Sequence, residues 1–166
     1  MARLVLAAPT AYVILDQQWK LAAVLFAIAA STDFLDGYLA RSLDQSSNFG
    51  GLFDHSTDAF FVTIGLACMS LHQAVPALLP CLVALSFLQY MLDSKALTGQ
   101  KLRTSLIGRA NGISYFLFLG LTIAFQIPEI TSVLFDHILL ILAWILVAST
   151  LISMIDRGIA FLKIPK

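Results

Sequence analysis

Residues 33–58 read DFLDGYLARSLDQSSNFGGLFDHSTD and join two apolar stretches of the chain, Trp19–Ala40 and Gly51–Leu71. Four aspartates lie within the adjoining ends of these stretches: Asp33, Asp36, Asp54 and Asp58. An acidic side chain near the centre of a membrane-spanning helix costs about 2.5–3.5 kcal/mol on insertion scales, and less towards the helix ends. Four such residues on two consecutive apolar stretches therefore indicate a functional site.

The composition of the whole chain is typical of a membrane protein. Of the 166 residues, 59% are hydrophobic and 12% are charged, whereas a soluble domain has about 45–50% apolar and about 25% charged residues. The formal net charge of zero argues against nucleic-acid binding, and the high hydrophobicity excludes a disordered chain. The two cysteines lie in apolar runs and make no disulfide framework.

Six apolar stretches have the composition of membrane-spanning helices, which need about 20 residues each. They are Ala2–Leu15, Trp19–Ala40, Gly51–Leu71, Val75–Leu92, Gly108–Ile127 and Leu134–Phe161. The first stretch is short and contains Pro9, so a cleaved signal peptide is the alternative to a first span. The apolar run before the small residues of Ala7–Ala11 is, however, too brief for the core of a signal peptide. We predict an all-α integral membrane protein in which residues 1–166 form one domain of six transmembrane helices.

The basic residues predict the orientation of these helices in the bilayer. Spans of alternating direction place both long polar loops and both termini on one side of the membrane. Nine of the ten Lys and Arg residues then lie on that side, and Lys20 lies on the other. Because basic loops stay on the cytoplasmic side, we expect both termini and the four aspartates to face the cytoplasm.

The spacing of the aspartates brings their carboxylates together. At about 100° per residue, Asp33 and Asp36 share a face of the second helix. Asp54 and Asp58, which are four residues apart, share a face of the third helix. Carboxylates that converge in a low-dielectric site repel one another unless cations lie between them. Oxygen ligands suit Mg²⁺, Mn²⁺ or Ca²⁺ rather than Zn²⁺, so we predict a divalent metal site between helices 2 and 3, with His55 as a packing or supporting residue.

Small residues line the same helix faces as the aspartates. Gly37, Ala40 and Gly50 allow either close helix packing, which is usual in membranes, or a floor for a flat ligand near the metals. Arg41 follows them at the end of the second helix. It serves either as an interfacial anchor or as a planar fork that holds a phosphate, and the spacing alone leaves both interpretations open.

These residues together resemble the signature of the CDP-alcohol phosphotransferase family, D-x2-D-G-x2-A-R-x8-G-x3-D-x3-D. All eight fixed positions match over Asp33–Asp58, and chance agreement is on the order of one in ten million at ordinary residue usage. The resemblance implies an enzyme of lipid synthesis, similar to phosphatidylglycerophosphate or phosphatidylinositol-phosphate synthases. The family transfers a substituted phosphate from a CDP-linked lipid, usually CDP-diacylglycerol, to an alcohol and releases CMP.

The resemblance also implies roles for individual residues. The four aspartates would hold one or two Mg²⁺ or Mn²⁺ ions on the donor's diphosphate, and Asp58 would be the candidate general base. The residues implied for the CDP site are Asp33, Gly37, Ala40, Arg41 and Gly50. Family members are commonly homodimers, and the resemblance favours the cell (inner) membrane.

The acceptor alcohol is expected near the start of the fifth span, where three basic residues cluster: Lys101, Arg103 and Arg109. These residues serve either as anchors that attract anionic lipid head groups or as a pocket for a phosphorylated alcohol, which family members often hold in this region. A pocket favours glycerol 3-phosphate, with inositol phosphate or another alcohol as the alternative. Ala59 departs from the family, because many relatives that use glycerol 3-phosphate carry Lys there. Relatives also usually have more chain before the first span.

Two other function classes fit parts of this pattern. A cation transporter would use carboxylates along a path through the membrane, but here the acids cluster at one level of two helices. A catalytically inactive relative would keep the fold without a need for all eight signature positions. We therefore predict a metal-dependent phosphatidyltransferase of phospholipid biosynthesis.

Overall fold

The computed structural model describes residues 2–42, 48–93 and 106–162, which form six α-helices. They are α1 (Ala2–Leu15), α2 (Trp19–Ser42), α3 (Asn48–Leu71), α4 (Leu78–Asp93), α5 (Leu106–Phe125) and α6 (Val133–Leu162). Each helix begins and ends within three residues of its predicted bounds. The all-α prediction is therefore confirmed for the described residues.

Two helices contain segments that are long and apolar enough to cross a bilayer. Within the described residues these segments are Ile107–Phe125, with a mean hydropathy of 1.2, and Val133–Ile159, with a mean hydropathy of 2.7. Shorter apolar segments occur in three further helices: Ala2–Leu15, Trp19–Thr32 and Leu78–Leu92. Large apolar side chains such as Ile141 and Ile152 are exposed on the outer surface, as is usual where a helix faces lipid.

Helix α1 lies beside both α2 and α3 in the bundle. Helix α3 also packs against α4 and α5, and α6 packs against the same two helices. Among the described residues α2 packs mainly on α1 and α5. It also approaches α3 through the rings of Phe26 and Phe61, whose centroids are 6.3 Å apart.

Two glycines bring α5 close to its neighbours. A Cβ atom on Gly65 would lie 2.6 Å from the side chain of Leu119, and one on Gly120 would lie 2.6 Å from the ring of Phe26. Small residues commonly permit such close helix contacts in membranes. The ring of Phe116 on α5 then packs at 4.7 Å from that of Phe26, measured between centroids.

The two ends of the bundle differ in their connections. At the end that carries Lys20, here called the Lys20 end, Lys20 Nζ donates a hydrogen bond of 2.5 Å to Glu129 Oε1. This bond lowers the pKa of the Glu129 carboxyl, but both side chains are largely exposed and such pairs add little stability. Trp19 contacts His72 edge-on at 5.5 Å between ring centroids. The opposite end, called the Arg3 end, carries Arg3 and Asp58.

Candidate active site

A cavity of about 570 Å³ lies at the Arg3 end, among α1, α3, α4, α5 and α6. Its volume falls in the range of small-molecule sites, about 300–1,000 Å³. The charged and polar side chains in its wall include Arg3, His55, Asp58, Ser86, Tyr90, Arg109 and Arg157. Its apolar wall includes Val62 and Val83, both buried in the bundle. Among the described side chains, the cavity thus combines one carboxylate and three guanidinium groups with an apolar lining.

Helix α3 supplies the carboxylates of this region. Asp54 and Asp58 are one turn apart and share a helix face, as the spacing predicted. Asp58 is partly buried and lines the cavity, and its Oδ1 accepts a hydrogen bond from Nη1 of Arg3 on α1. Asp54 is exposed. Of these two predicted metal ligands, Asp58 is therefore the one that lines the cavity.

Arg3 is a buried cation at the start of α1. Its side chain is only 9% exposed, and its guanidinium carbon lies 4.6 Å from the ring centroid of Phe116 on α5. Burying a charge is costly unless it is paired and hydrogen-bonded. Asp58 supplies the opposite charge, and the face of the Phe116 ring adds a cation–π contact.

Arg157 on α6 is held by bonds within its own helix and to α4. Nη1 donates to the carbonyl oxygen of Ser86 at 3.2 Å, and Nη2 donates to Ser86 Oγ at 2.6 Å. Nε donates to the carbonyl oxygen of Ser153 at 3.3 Å. Gln89 on α4 adds a second link between these helices, donating to the Met154 carbonyl oxygen at 2.9 Å. These bonds fix the Arg157 guanidinium group in the cavity wall.

Arg109 is the one predicted acceptor residue among the described residues, and it lines the cavity from α5 and is exposed. The next polar residues of α5 contact α6. Ser149 Oγ donates to Asn111 Oδ1 at 2.6 Å, and the hydroxyl oxygens of Tyr115 and Thr150 are 2.5 Å apart. Ser149 therefore links α6 to α5.

His55 and Tyr90 form one side of the cavity. The His55 ring contacts the Tyr90 ring edge-on, with centroids 6.1 Å apart. This contact agrees with the packing role predicted for His55. Among the described residues, the buried hydroxyl of Tyr90 has no hydrogen-bond partner. A buried polar group of this kind is usually satisfied by a partner, so it marks a position where a bound ligand could donate or accept.

The other predicted site residues are described only in part. Five of them belong to α2, whose helical backbone the structure describes without these side chains: Asp33, Asp36, Gly37, Ala40 and Arg41. Gly50 is exposed in the first turn of α3, and Lys101 and Arg103 lie outside the described residues. The described side chains contain no group of three or more His, Cys, Asp or Glu arranged for a metal. Two of the four predicted metal ligands are not among those side chains.

Arg3 and Arg157 are the charged cavity residues that sequence reasoning missed, and it also missed Ser86 and Tyr90. Both arginines were assigned only to the basic side of the membrane. The sequence did contain a signal for Arg3, because it is the only charged residue of the apolar helix α1. An ionisable residue in such a helix is by default a candidate for function. For Arg157, the signal was its position in the same long apolar helix as Ser149 and Ser153.

Several known proteins that are similar to this chain share one name. Proteins named CDP-diacylglycerol–glycerol-3-phosphate 3-phosphatidyltransferase match from several bacteria, including the three that follow. The Pseudomonas fluorescens protein is 41% identical over 58 residues, which are 35% of this chain and 30% of the relative. The Bacillus subtilis (strain 168) protein is 28% identical over 137 residues, or 79% of this chain and 68% of the relative. The Escherichia coli (strain K12) protein is 41% identical over 51 residues, or 31% and 28%.

The extent of these matches differs between the relatives. The aligned part spans less than a third of the Pseudomonas and Escherichia proteins and about two thirds of the Bacillus protein. No solved structure matches the chain. The family model for CDP-alcohol phosphatidyltransferases, in contrast, matches residues 1–154. Because that match covers nearly the whole sequence, the chain belongs to the CDP-alcohol phosphatidyltransferase family.

Proposed function

We propose that the protein transfers a phosphatidyl group from CDP-diacylglycerol to glycerol 3-phosphate and releases CMP, as a step of phospholipid biosynthesis. The names of the relatives describe this donor and this acceptor. The observation that carries the proposal is the cavity that contains the Asp58 carboxylate together with Arg3, Arg109 and Arg157. A carboxylate can accept the proton of an alcohol, and guanidinium groups are well suited to bind phosphate.

The proposed reaction needs no reactant besides the donor lipid and the acceptor alcohol. The hydroxyl oxygen of the acceptor attacks the phosphorus of the phosphatidyl group, and the bond from this phosphorus to the CMP oxygen breaks. Asp58 takes the hydroxyl proton, and CMP leaves with the electron pair of the broken bond. In such transfers the protein mainly positions the reactants and stabilises charge on the phosphate oxygens.

The family is generally dependent on a divalent metal, and the four aspartates supply the oxygen ligands that such a metal prefers. We assign one or two Mg²⁺ or Mn²⁺ ions to Asp33, Asp36, Asp54 and Asp58, an all-carboxylate set that suits hard cations. Asp54 and Asp58 already share one face of α3. The bound metal would neutralise charge on the donor's diphosphate. The CDP site is assigned to Asp33, Gly37, Ala40, Arg41 and Gly50.

The acceptor site is assigned to Arg109, together with Lys101 and Arg103. Arg109 lines the same cavity as Asp58, so one ligand can contact both. Arg157, fixed by Ser86, adds a second preorganised cation. The Tyr90 hydroxyl offers a further hydrogen-bonding group. These groups suit a small phosphorylated alcohol better than serine or an uncharged alcohol, and inositol phosphate is the alternative to glycerol 3-phosphate.

We place the protein in the cell (inner) membrane as a homodimer of six-span subunits. Within the part of the chain that the structure describes, helices α5 and α6 each carry a segment that is long and apolar enough to span it. The Arg3 end and both termini face the cytoplasm, because nine of the ten basic residues then lie on that side. Glycerol 3-phosphate and CMP are water-soluble, so a cavity at the Arg3 end gives them access from the cytoplasm.

An acceptor panel tests the proposed function. Purified protein in detergent is given CDP-diacylglycerol, Mg²⁺ or Mn²⁺, and one acceptor at a time: glycerol 3-phosphate, inositol, inositol phosphate, serine or none. We expect CMP release and a new phospholipid with glycerol 3-phosphate. Release with inositol phosphate alone would move the assignment to that acceptor. Silence with every acceptor, alongside normal protein folding, would contradict the proposal.

Arg109→Ala tests the acceptor site separately. We expect the KM for glycerol 3-phosphate to rise by about 10–100-fold, because a hydrogen bond to a charged group contributes about 1.5–3 kcal/mol. The KM for CDP-diacylglycerol should change by less than about threefold, because Arg109 is assigned to the acceptor and not to the CDP site. Lys20→Ala, at the opposite end of the bundle, is the matched control and should leave both values unchanged. An equal rise in both KM values of Arg109→Ala would instead indicate damage to the fold.

A further inference from the structure

We infer that Arg3 is a positioning residue that orients the carboxylate of Asp58 towards the bound acceptor, so that the acceptor is used as the nucleophile in preference to water. This inference rests on the proposed function. It concerns a residue outside the eight-position signature, on a helix that contributes none of the predicted ligands. The structural basis is the contact between Arg3 and Asp58 across two helices.

Arg3 is itself fixed on two sides. Its Nη1 donates to Asp58 Oδ1 on α3, and its guanidinium carbon lies 4.6 Å from the ring centroid of Phe116 on α5. The Phe116 ring is in turn packed against Phe26 and Phe61, at 4.7 Å and 6.4 Å between centroids. A guanidinium group in such a setting has little freedom to move, so it can hold its partner in one orientation.

The hydrogen bond leaves Asp58 able to act on a substrate. An ionised carboxylate has about four lone-pair positions on its two oxygens. A bond from Arg3 to Oδ1 takes up one of these positions and restrains rotation of the group. The side chain of Asp58 is 32% exposed, whereas the side chain of Arg3 is 9% exposed. Both groups line the cavity, and the carboxylate is the more accessible of the two.

Orientation matters more for the acceptor than for water. A phosphorylated acceptor is anchored by its phosphate, so its hydroxyl can meet the carboxylate only in a narrow range of orientations. A water molecule has no such anchor and can approach a carboxylate in any orientation. Loss of Arg3 should therefore slow transfer to the acceptor more than hydrolysis of the donor. In hydrolysis the water oxygen attacks the same phosphorus, CMP leaves, and phosphatidate is the lipid product.

A purely structural ion pair predicts a different result. If Arg3 only compensated the charge of Asp58 and held α1 against α3, its loss would reduce the amount of active protein. Transfer and hydrolysis would then fall by the same factor. If Arg3 only bound the acceptor phosphate, the KM for glycerol 3-phosphate would rise with kcat little changed. The ratio of the two lipid products distinguishes a positioning role from a purely structural ion pair. The values of kcat and KM distinguish it from binding of the acceptor phosphate.

The experiment compares Arg3→Gln, Arg3→Lys and Lys20→Gln with the unaltered protein. Phosphatidylglycerophosphate and phosphatidate are quantified from CDP-diacylglycerol, with and without glycerol 3-phosphate, in folded protein selected by gel filtration. We expect Arg3→Gln to lower kcat for transfer by about 10²-fold, at the lower end of the effect of a misplaced general base. Hydrolysis should fall by less than about tenfold, and the KM for glycerol 3-phosphate should stay within about threefold.

The other two variants make the result decisive. Arg3→Lys keeps the charge but lacks the planar fork, so its product ratio should lie between those of the unaltered protein and Arg3→Gln. Lys20→Gln breaks the pair between Lys20 on α2 and Glu129 in the connection from α5 to α6, at the far end of the bundle, and should leave the ratio unchanged. If Arg3→Gln does not fold, the ratio of Arg3→Lys decides alone. An unchanged product ratio, or a rise in KM alone, overturns the inference. Absence of transfer in the unaltered protein instead overturns the proposed function, and the inference with it.

Discussion

Asp58→Asn is expected to lower kcat by about 10²–10⁴-fold, the usual contribution of general base catalysis. Asparagine has nearly the same size, and its carbonyl oxygen can still accept the hydrogen bond from Arg3. It cannot take the proton of the acceptor hydroxyl. Binding of CDP-diacylglycerol should be largely retained. Most residues assigned to the CDP site belong to α2, and the remaining one lies at the start of α3, whereas Asp58 lies further along α3. CMP release and retention of a fluorescent CDP-lipid measure the two effects separately.

Asp156→Asn is a suitable control for this substitution. Asp156 is an exposed carboxylate on α6 and is not part of the cavity wall. The Asp156→Asn substitution removes the same charge at a position outside the cavity wall. The activity of this variant should therefore equal that of the unaltered protein. Normal turnover in Asp58→Asn would remove Asp58 from the role of base. A complete loss of lipid binding would instead make Asp58 primarily a residue of the donor site.

The charge left on Arg3 has to be separated from the loss of the base. In Asp58→Asn the Arg3 cation is buried without its counter-ion, and breaking a buried pair in this way costs about 3–5 kcal/mol at full burial. Asp58 is partly exposed, so the loss should be smaller. The double variant Arg3→Gln with Asp58→Asn removes both charges and should recover much of the thermal stability. It should stay inactive, which attributes the kinetic defect to chemistry and not to unfolding.

The sequence predicted the helices well because apolar length and periodicity are local properties. Each helix lies within three residues of its predicted bounds, and the spacing of Asp54 and Asp58 correctly placed them on one face. The neighbours of each helix were harder to predict. Periodicity tells which face of a helix is apolar, but not which other helix covers it. The position of α1 beside both α2 and α3, and hence the contact from Arg3 to Asp58, depends on that long-range packing.

The same limit applies to Arg157. From the sequence, Arg109 could be interpreted as a membrane anchor or, through the family resemblance, as part of an acceptor pocket. Arg157 lies on α6, and its distance from Ser86 is 71 residues along the chain. Its preorganisation comes from the packing of α4 on α6. The three arginines of the cavity thus come from three helices that are far apart in sequence, and no local motif contains them.

Removal of divalent metal is the other change with a large expected effect. Chelation by excess EDTA should lower CMP release by about 10²-fold or more, because a metal on the reacting phosphate contributes several kcal/mol of charge stabilisation. Added Mg²⁺ or Mn²⁺ in excess over EDTA should restore it. Zn²⁺ should restore less, since a site built of carboxylates favours hard cations. Rates are measured as CMP release over a series of free metal concentrations.

The predicted ligands can be tested individually in the same titration. Asp33→Asn and Asp36→Asn should each raise the metal concentration for half-maximal activity, because each removes a charged oxygen donor. Asp16→Asn is the control, since Asp16 lies in the turn between α1 and α2 at the Lys20 end. A shift in the titration with little change in the maximal rate would identify an aspartate as a ligand. Activity that persists in EDTA would contradict the metal assignment for all four aspartates, and Asp58 would then act as a base without a metal beside it.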